Sequence, residues 1–327
     1  MKKLLAVVMA VACATAFATD YTWTGGGTAG SWKDPANWGG GGYPHLRGDT
    51  ATVAVDADIT VDETVTITAL NATSGAKVTV RDNGTAELHF MPVGTSKTAG
   101  PMATGVGTEL TLLAKVVNDK DSESGGYNRS DPGVSGGGVL RFGGTWTNGT
   151  MTGTIYLGGN AGTFDFSNCD FHAVQDMNFG WESSSGNMSK TVNMTLGSGA
   201  AVSVTRTFLM GGNSRTPNTY VVQEEGSTFE PLYFDMGTAT SNGGPGYIDG
   251  WNTTNTFVKK GGLLTTSALT LGSFSPPTER CLRPESLTFS RYSPALVDEK
   301  SPERMAAWVC MSLLMLRSIH SWIFFSP

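Results

Sequence analysis

The stretch GDTATVAVDADITVDETVTITAL, residues 48–70, indicates the fold class of this chain because apolar and polar residues alternate along most of its length. Alternation with a period of two and with β-branched residues predicts short strands with one buried face. Turn-forming residues interrupt the pattern at 56–58, and Ser74-Gly75 and Asn83-Gly84 separate the runs that follow. The sequence therefore predicts an all-β protein.

A loose internal repeat follows in the second half of the chain. Gly-Gly elements stand beside short apolar runs in LGGNAGTFDF (157–166), LMGGNSRTPNTYVV (209–222) and KKGGLLTTSALTLG (259–272). Such repeats predict stacked rungs, each of which buries its inward side chains against its neighbours. The irregular spacing of the turns favours a parallel β-helix, or β-solenoid, because unequal loops can project outward from the coil. A β-sandwich is the alternative, since it uses similar short strands.

The start of the chain has the parts of a secretory signal peptide. Two lysines provide the positive charge, residues 4–12 form an apolar segment too short to cross a bilayer, and Ala16-Phe17-Ala18 is a cleavage site. We therefore expect cleavage between Ala18 and Thr19. The mature protein would be extracellular or attached to the cell surface or outer membrane.

Composition divides the chain into four segments. They are a signal peptide (1–18), an aromatic N-terminal cap (19–48), a β-solenoid body (49–272) with a polar loop at 118–138, and an atypical tail (273–327).

The tail is expected not to be part of the fold. All 43 glycines lie before Ser273, and the tail is instead rich in Pro, Arg, Cys, Met and Trp. A shifted reading frame after Gly272 would explain this change, and the chain would then be a truncated fragment of a longer protein. The alternative is a C-terminal anchor over 305–325, and we expect membrane contact only in that case.

Two segments carry a resemblance to a known family. TWTGGGTAGSWKDPANWGGGGYP (22–44), followed by GDTATV (48–53), resembles the start of autotransporter-like passengers, which are exported Gly/Thr/Asn-rich proteins of Gram-negative bacteria. The unit at 259–272 resembles their short strand repeat. The resemblance implies a right-handed parallel β-helix displayed at the cell surface.

Charge and motifs exclude several functional classes. The formal net charge of −6 and the lack of basic clusters argue against nucleic acid as a partner. Four widely spaced cysteines, of which Cys13 leaves with the signal peptide, do not form a disulfide framework. The chain has no phosphate-binding loop and no metal-spaced Cys/His pair, so we expect no cofactor.

Asp165, Asp170, His172 and Asp176 form the densest group of ionisable residues near a predicted strand. A glycosidase needs two carboxyl groups about 5–9.5 Å apart, and Asp165 and Asp170 could reach that separation on adjacent rungs. Asp165, Asp170 and Asp176 would then be the catalytic acids. The preferred interpretation is that these aspartates are turn residues that cap their own backbone and face water.

Two further groups are candidate binding residues. Asp119, Asp121 and Glu123 resemble the front of a calcium loop, but Ser130 occupies the position of its bidentate Glu, so a solvated loop is preferred over a weak calcium site. Aromatic faces stack on sugars, yet they also cover the open end of a solenoid, which is the preferred role. The aromatic candidates are Trp23, Trp32, Trp38 and Tyr43.

These observations predict a secreted or surface-displayed, non-catalytic β-solenoid with an adhesin-like or structural role. Its expected partners are glycans or a host or neighbouring cell surface. The alternative function is that of a glycan-active β-helix enzyme, either a polysaccharide lyase or a hydrolase.

Overall fold

The computed structural model describes residues 18–93, 100–119, 131–147, 154–159, 161–181, 190–211, 218–236 and 255–271. These residues form 24 β-strands and one short 3-10 helix, Pro35–Trp38. The predicted tail and the predicted signal peptide up to residue 17 lie outside the described residues. Within the described ranges, no helix is long and apolar enough to span a membrane.

The strands lie on three faces of one coil. Face A contains β1 (Asp20–Thr22), β2 (Thr50–Val53), β5 (Ala69–Ala72), β8 (Gly100–Thr104), β11 (Gly133–Ser135), β14 (Ile155–Gly159), β17 (Met177–Trp181) and β24 (Ala268–Leu271). Face B contains β3 (Ala57–Val61), β6 (Lys77–Asp82), β9 (Glu109–Leu112), β12 (Gly138–Phe142), β15 (Gly162–Phe166), β18 (Thr191–Leu196), β20 (Asn218–Gln223) and β22 (Asn255–Lys259). Face C contains β4 (Val65–Ile67), β7 (Leu88–Phe90), β10 (Val116–Asn118), β13 (Thr145–Thr147), β16 (Asp170–Ala173) and β23 (Leu263–Leu264).

Two long strands connect face C to face A. Strands β19 (Ala201–Met210) and β21 (Thr228–Met236) begin on face C and end on face A, so these two faces form one 16-stranded sheet. Face B is a separate 8-stranded sheet.

Each rung consists of one strand from face A, one from face B and one from face C. Strands of successive rungs pair in parallel, for example β2 with β5, β3 with β6 and β4 with β7. The predicted parallel β-solenoid is therefore confirmed. The alternative β-sandwich is wrong for the described residues, because its sheets would be antiparallel.

The rungs differ in length because their connections differ. Thr50 pairs with Ala69, whereas Ala69 pairs with Gly100, which is much farther along the chain. The polar loop predicted at 118–138 is shorter than expected. Asn118 still belongs to β10, and Gly133–Ser135 is strand β11, because its backbone pairs with β8 and β14. Residues 120–130 of that loop lie outside the described residues.

The core lies between the three faces and changes in composition along the coil. The first rungs bury mainly aliphatic side chains such as Val53, Ile59 and Val65, and the later rungs bury aromatic ones. The Phe142 and Phe166 rings, on adjacent strands of face B, stack with centroids 4.7 Å apart. Parallel pairing thus places like side chains above one another, and each rung packs against the next.

The aromatic segment covers the N-terminal end of this core. Strand β1 pairs with β2, and Ser31 forms a bridge with Thr60 on face B. The Trp38 ring centroid lies 4.9 Å from that of Trp23 and 5.0 Å from that of Trp32, and all three side chains are buried. Buried indole N–H groups need hydrogen-bond acceptors. Trp32 Nε1 donates to the Pro44 carbonyl, and Trp38 Nε1 donates to the Trp32 carbonyl.

Removal of one ring from the aromatic part of the core is expected to destabilise the solenoid strongly. Phe166→Ala should lower the free energy of unfolding by about 3–5 kcal/mol, since it leaves a cavity between adjacent rungs. Chemical denaturation followed by circular dichroism would measure the loss. Thr163→Ala is the matched control, because Thr163 points outward from the same strand, and its cost should be below about 1 kcal/mol. Equal losses in the two variants would contradict the stacked core.

Candidate binding groove

The described surface has a groove of about 320 Å³ on the outside of face A. It crosses three neighbouring strands, β2, β5 and β8, and therefore three successive rungs. Its lining consists of Thr50, Thr52, Ala69, Asn71, Thr73, Met102 and Thr104.

The alternation of the strands explains why these residues face outward. In β2 the side chains of Ala51 and Val53 are buried in the core, so Thr50 and Thr52 point to the solvent side. Parallel register then places Thr50 beside Ala69, and Ala69 beside Gly100. Side-chain size decreases along this row from threonine to alanine to glycine, and the Ala69 methyl group belongs to the groove lining.

On the side of β11, the groove is bordered by the Met102 side chain and by closely packed backbone. A Cβ atom on Gly133 would lie 2.9 Å from Met102 Cε, so the Met102 side chain covers this glycine. Gly100 has a φ of 103°, and a Cβ there would lie 3.0 Å from the Asp131 carbonyl oxygen. Gly100 therefore requires glycine because of its backbone conformation, whereas the Met102 methyl group is the end of a flexible side chain and could move away from a Cβ at position 133.

The groove carries no charge, and more of its lining surface is apolar than polar. Its described lining contains hydroxyl, amide, methyl and thioether groups and no ionisable side chain. The side chains of Thr50, Thr52, Asn71 and Thr73 make no hydrogen bond to another described residue, whereas Thr104 Oγ1 accepts one from Ser135 Oγ at 3.2 Å. These free groups can both donate and accept hydrogen bonds to a ligand.

A second cluster of polar side chains lies on face C, centred on His89. The His89 Nδ1 atom is 2.7 Å from Asp119 Oδ2, and Nε2 is 2.8 Å from Glu87 Oε2. Glu87 also pairs with Lys115 on the next rung. Both imidazole nitrogens are therefore occupied by carboxylates, and neither is available as a general base for a substrate.

This arrangement changes the ionisation of His89. The hydrogen bond to Asp119 raises the pKa of His89 above its ordinary value, partial burial opposes the rise, and Glu87 adds to it. Lys115 and His89 lower the pKa of Glu87. The two carboxylates thus stabilise the protonated form of His89. Because Asp119 follows the strand of the next rung, this contact links two successive rungs.

Asp119 is the first residue of the weak calcium candidate, and it lies against His89 with little exposure. Asp121 and Glu123 lie outside the described residues. Among the described residues, no group of three or more His, Cys, Asp or Glu side chains is arranged to hold a metal ion.

The predicted catalytic aspartates do not lie on adjacent rungs. Asp165 and Asp170 belong to β15 and β16 of one rung, on the outer sides of two different faces, so the placement on adjacent rungs that the enzyme alternative requires is wrong. The connections are too unequal for the rung of each residue to be read from sequence spacing. Asp176 lies at the next corner and accepts a hydrogen bond from the Thr207 amide at 3.0 Å.

Asp165 and its neighbours take part in structural contacts. Asp165 pairs with Arg141 of the preceding rung and accepts a hydrogen bond from Ser167 Oγ at 2.7 Å. His172 Nδ1 is 2.7 Å from Ser203 Oγ. Burial raises the pKa of the Cys169 thiol to about 12, and the nearby Asp170 and Asp165 charges act in the same direction. This thiol therefore stays protonated and is a poor nucleophile.

The predicted aromatic contact residues are also committed to the fold. Trp23, Trp32 and Trp38 are buried, so their faces are not open to a sugar ring. Tyr43 donates a hydrogen bond to Glu63, which is the main reason why the pKa of Tyr43 is raised to about 12. The geometry agrees with the preferred role of these residues as a cap.

The groove and the His89 cluster were both missed by sequence reasoning. Glu87 and His89 are two residues apart, a spacing that places both on one side of a strand, but Asp119 is brought beside them only by the coil. Comparison of the chain with protein-family models, with curated proteins and with solved structures found no match. The functional conclusion therefore depends on the chain's own geometry.

The His89 cluster makes the stability of the solenoid depend on pH. Because folding raises the pKa of His89, its contribution is fully present below the unfolded value of about 6.5 and is lost as the pH rises through the folded value. His89→Gln should therefore flatten the decline in the free energy of unfolding that begins as the pH rises past about 6.5. Urea denaturation at a series of pH values would measure this slope.

His172→Gln is the matched control for this experiment. His172 also points outward from face C, but it contacts a serine hydroxyl instead of two carboxylates. An equal flattening in the control would contradict the role assigned to His89.

Proposed function

We propose that this chain is a secreted or surface-displayed, non-catalytic β-solenoid with an adhesin-like role. The observation that carries the proposal is that the ionisable side chains serve mainly to connect the rungs. In the described body many of them pair between rungs, and the one groove described above has an uncharged lining. Such a surface suits binding better than acid–base catalysis, which needs titratable groups directed at a substrate.

The charged row on face B illustrates this use of ionisable groups. Lys77 Nζ lies 2.9 Å from Glu109, Arg141 Nε lies 3.7 Å from Glu109, and Arg141 also pairs with Asp165. Opposite charges thus alternate across four neighbouring strands, β6, β9, β12 and β15. Each pair is partly exposed and contributes little alone, but the row helps to select the register in which the rungs stack.

Export and display support the proposal from the sequence side. The predicted signal peptide directs the chain out of the cytoplasm, and the resemblance to autotransporter-like passengers implies exposure at a cell surface. An elongated coil presents its outer faces to large partners such as glycans or another cell, so contacts can be repeated along its length.

The alternative is a glycan-active enzyme with Asp165, Asp170 and Asp176 as its acids, and a combined variant separates the two functions. Asp165→Asn/Asp170→Asn/Asp176→Asn should leave adhesion to cells and glycans unchanged within roughly twofold, because none of the three side chains belongs to the lining of the described groove. Neutral and acidic polysaccharides incubated with the wild-type protein should release no new reducing ends or unsaturated products. Adhesion to glycan-coated surfaces and product formation would be measured in parallel.

Asp58→Asn is the control, because Asp58 is a face B carboxylate that pairs with an arginine of a neighbouring rung, Arg81, as Asp165 pairs with Arg141. Polysaccharide turnover by the wild-type protein that disappears in the combined variant but not in this control would overturn the proposal in favour of the enzyme.

A further inference from the structure

We propose that the groove on face A is a binding site for a neutral glycan chain that crosses the rungs of β2, β5 and β8. The inference rests on the proposed function, because it names the ligand class and the place of contact for a binding scaffold. Three observations support it. The lining of the groove is uncharged, several of its side chains have free hydrogen-bonding groups, and the backbones of its strands are already paired on both sides.

The free polar groups form a small grid that suits sugar hydroxyls. Thr52 and Asn71 are register partners on neighbouring strands, which lie about 4.8 Å apart in a sheet. Thr50 and Thr52 are two residues apart on one strand, which corresponds to about 6.6 Å. Hydroxyl and amide groups donate as well as accept, and sugar hydroxyls do the same, so the pairing is mutual.

The groove also offers apolar surface between these polar groups. The Ala69 methyl group and the Met102 side chain belong to its lining. A sugar ring has C–H groups on its faces and hydroxyls at its rim, so it can contact both kinds of surface at once. Small-molecule sites generally combine apolar walls with a few placed polar groups, and a volume of about 320 Å³ is within their range.

Charge favours a neutral ligand over an acidic one. The described lining provides no cation to pair with a carboxylate, sulfate or phosphate. Asp20 is the register neighbour of Thr50 and is exposed beside the groove, and the whole chain has a net charge of −6. Acidic polysaccharides and nucleic acids would meet repulsion without compensation.

The backbone excludes binding of a peptide by strand addition at this place. Strands β2, β5 and β8 each have a parallel partner on both sides, so their backbone groups are used within the sheet. Strand addition requires an unpaired edge. Met102 is the one large apolar side chain in the described lining. A protein partner usually needs several large buried anchor residues, so the groove suits a protein partner poorly.

The test compares two double variants of the full chain that remove the same chemical groups. Thr50→Val/Thr52→Val deletes two hydroxyls from the groove and keeps β-branched side chains. Thr79→Val/Thr111→Val deletes two hydroxyls from register partners on the outside of face B, away from the groove. The probes are neutral cello-, manno- and malto-oligosaccharides and an acidic oligogalacturonate, with binding measured by titration calorimetry.

We expect the wild-type protein to bind at least one neutral oligosaccharide and to prefer it to the oligogalacturonate. The groove variant should bind that ligand about tenfold more weakly, since two neutral hydrogen bonds are lost, and the face B variant should bind it like the wild type. Equal thermal midpoints of the three proteins would show that the difference is not caused by unfolding.

The other outcomes separate this inference from the proposed function. Binding of neutral oligosaccharides that is equal in all three proteins, or preference for the acidic ligand, would overturn the groove assignment and leave the scaffold function intact. Adhesion to cells without binding of any neutral probe would also overturn it. If the wild-type protein binds neither cells nor glycans, this inference and the proposed function are both overturned.

Discussion

Every rung of this protein depends on parallel pairing with the rungs before and after it. A single rung has three short strands on three different faces, and these strands cannot satisfy one another's backbone groups. Pairs such as β2 with β5 and β3 with β6 supply the missing hydrogen bonds. Buried backbone groups must be paired, so stacking is a condition for folding.

The same constraint organises the side chains inside and outside the coil. Parallel register places each residue beside its counterpart on the next rung, which produces the ring stack of Phe142 on Phe166 inside the core. On the outside it produces the alternating charges of face B and the tie between His89 and Asp119 on face C. The described groove on face A differs from these two surfaces, because its lining contains no ionisable side chain.

A coil built in this way has an open end, and the N-terminal segment covers it. The first rung would otherwise expose core residues such as Ala51 and Ile59 to water. Trp32 and Trp38 supply large apolar surface there, and their indole N–H groups reach backbone carbonyls. The tryptophan segment thus covers the open N-terminal end of the solenoid.

The sequence by itself determined the strands, their inward faces and the role of the tryptophan segment. These features are local, because alternation along β2, β3 and β4 separates buried from exposed positions without knowledge of any neighbour. Only the tertiary structure decided which residues share a surface. The connections vary in length, so sequence spacing does not reveal that Thr50, Ala69 and Gly100 are neighbours, that Asp119 meets His89, or that Asp165 and Asp170 occupy one rung. Register depends on the pairing of whole rungs, and that information is distributed over the entire coil.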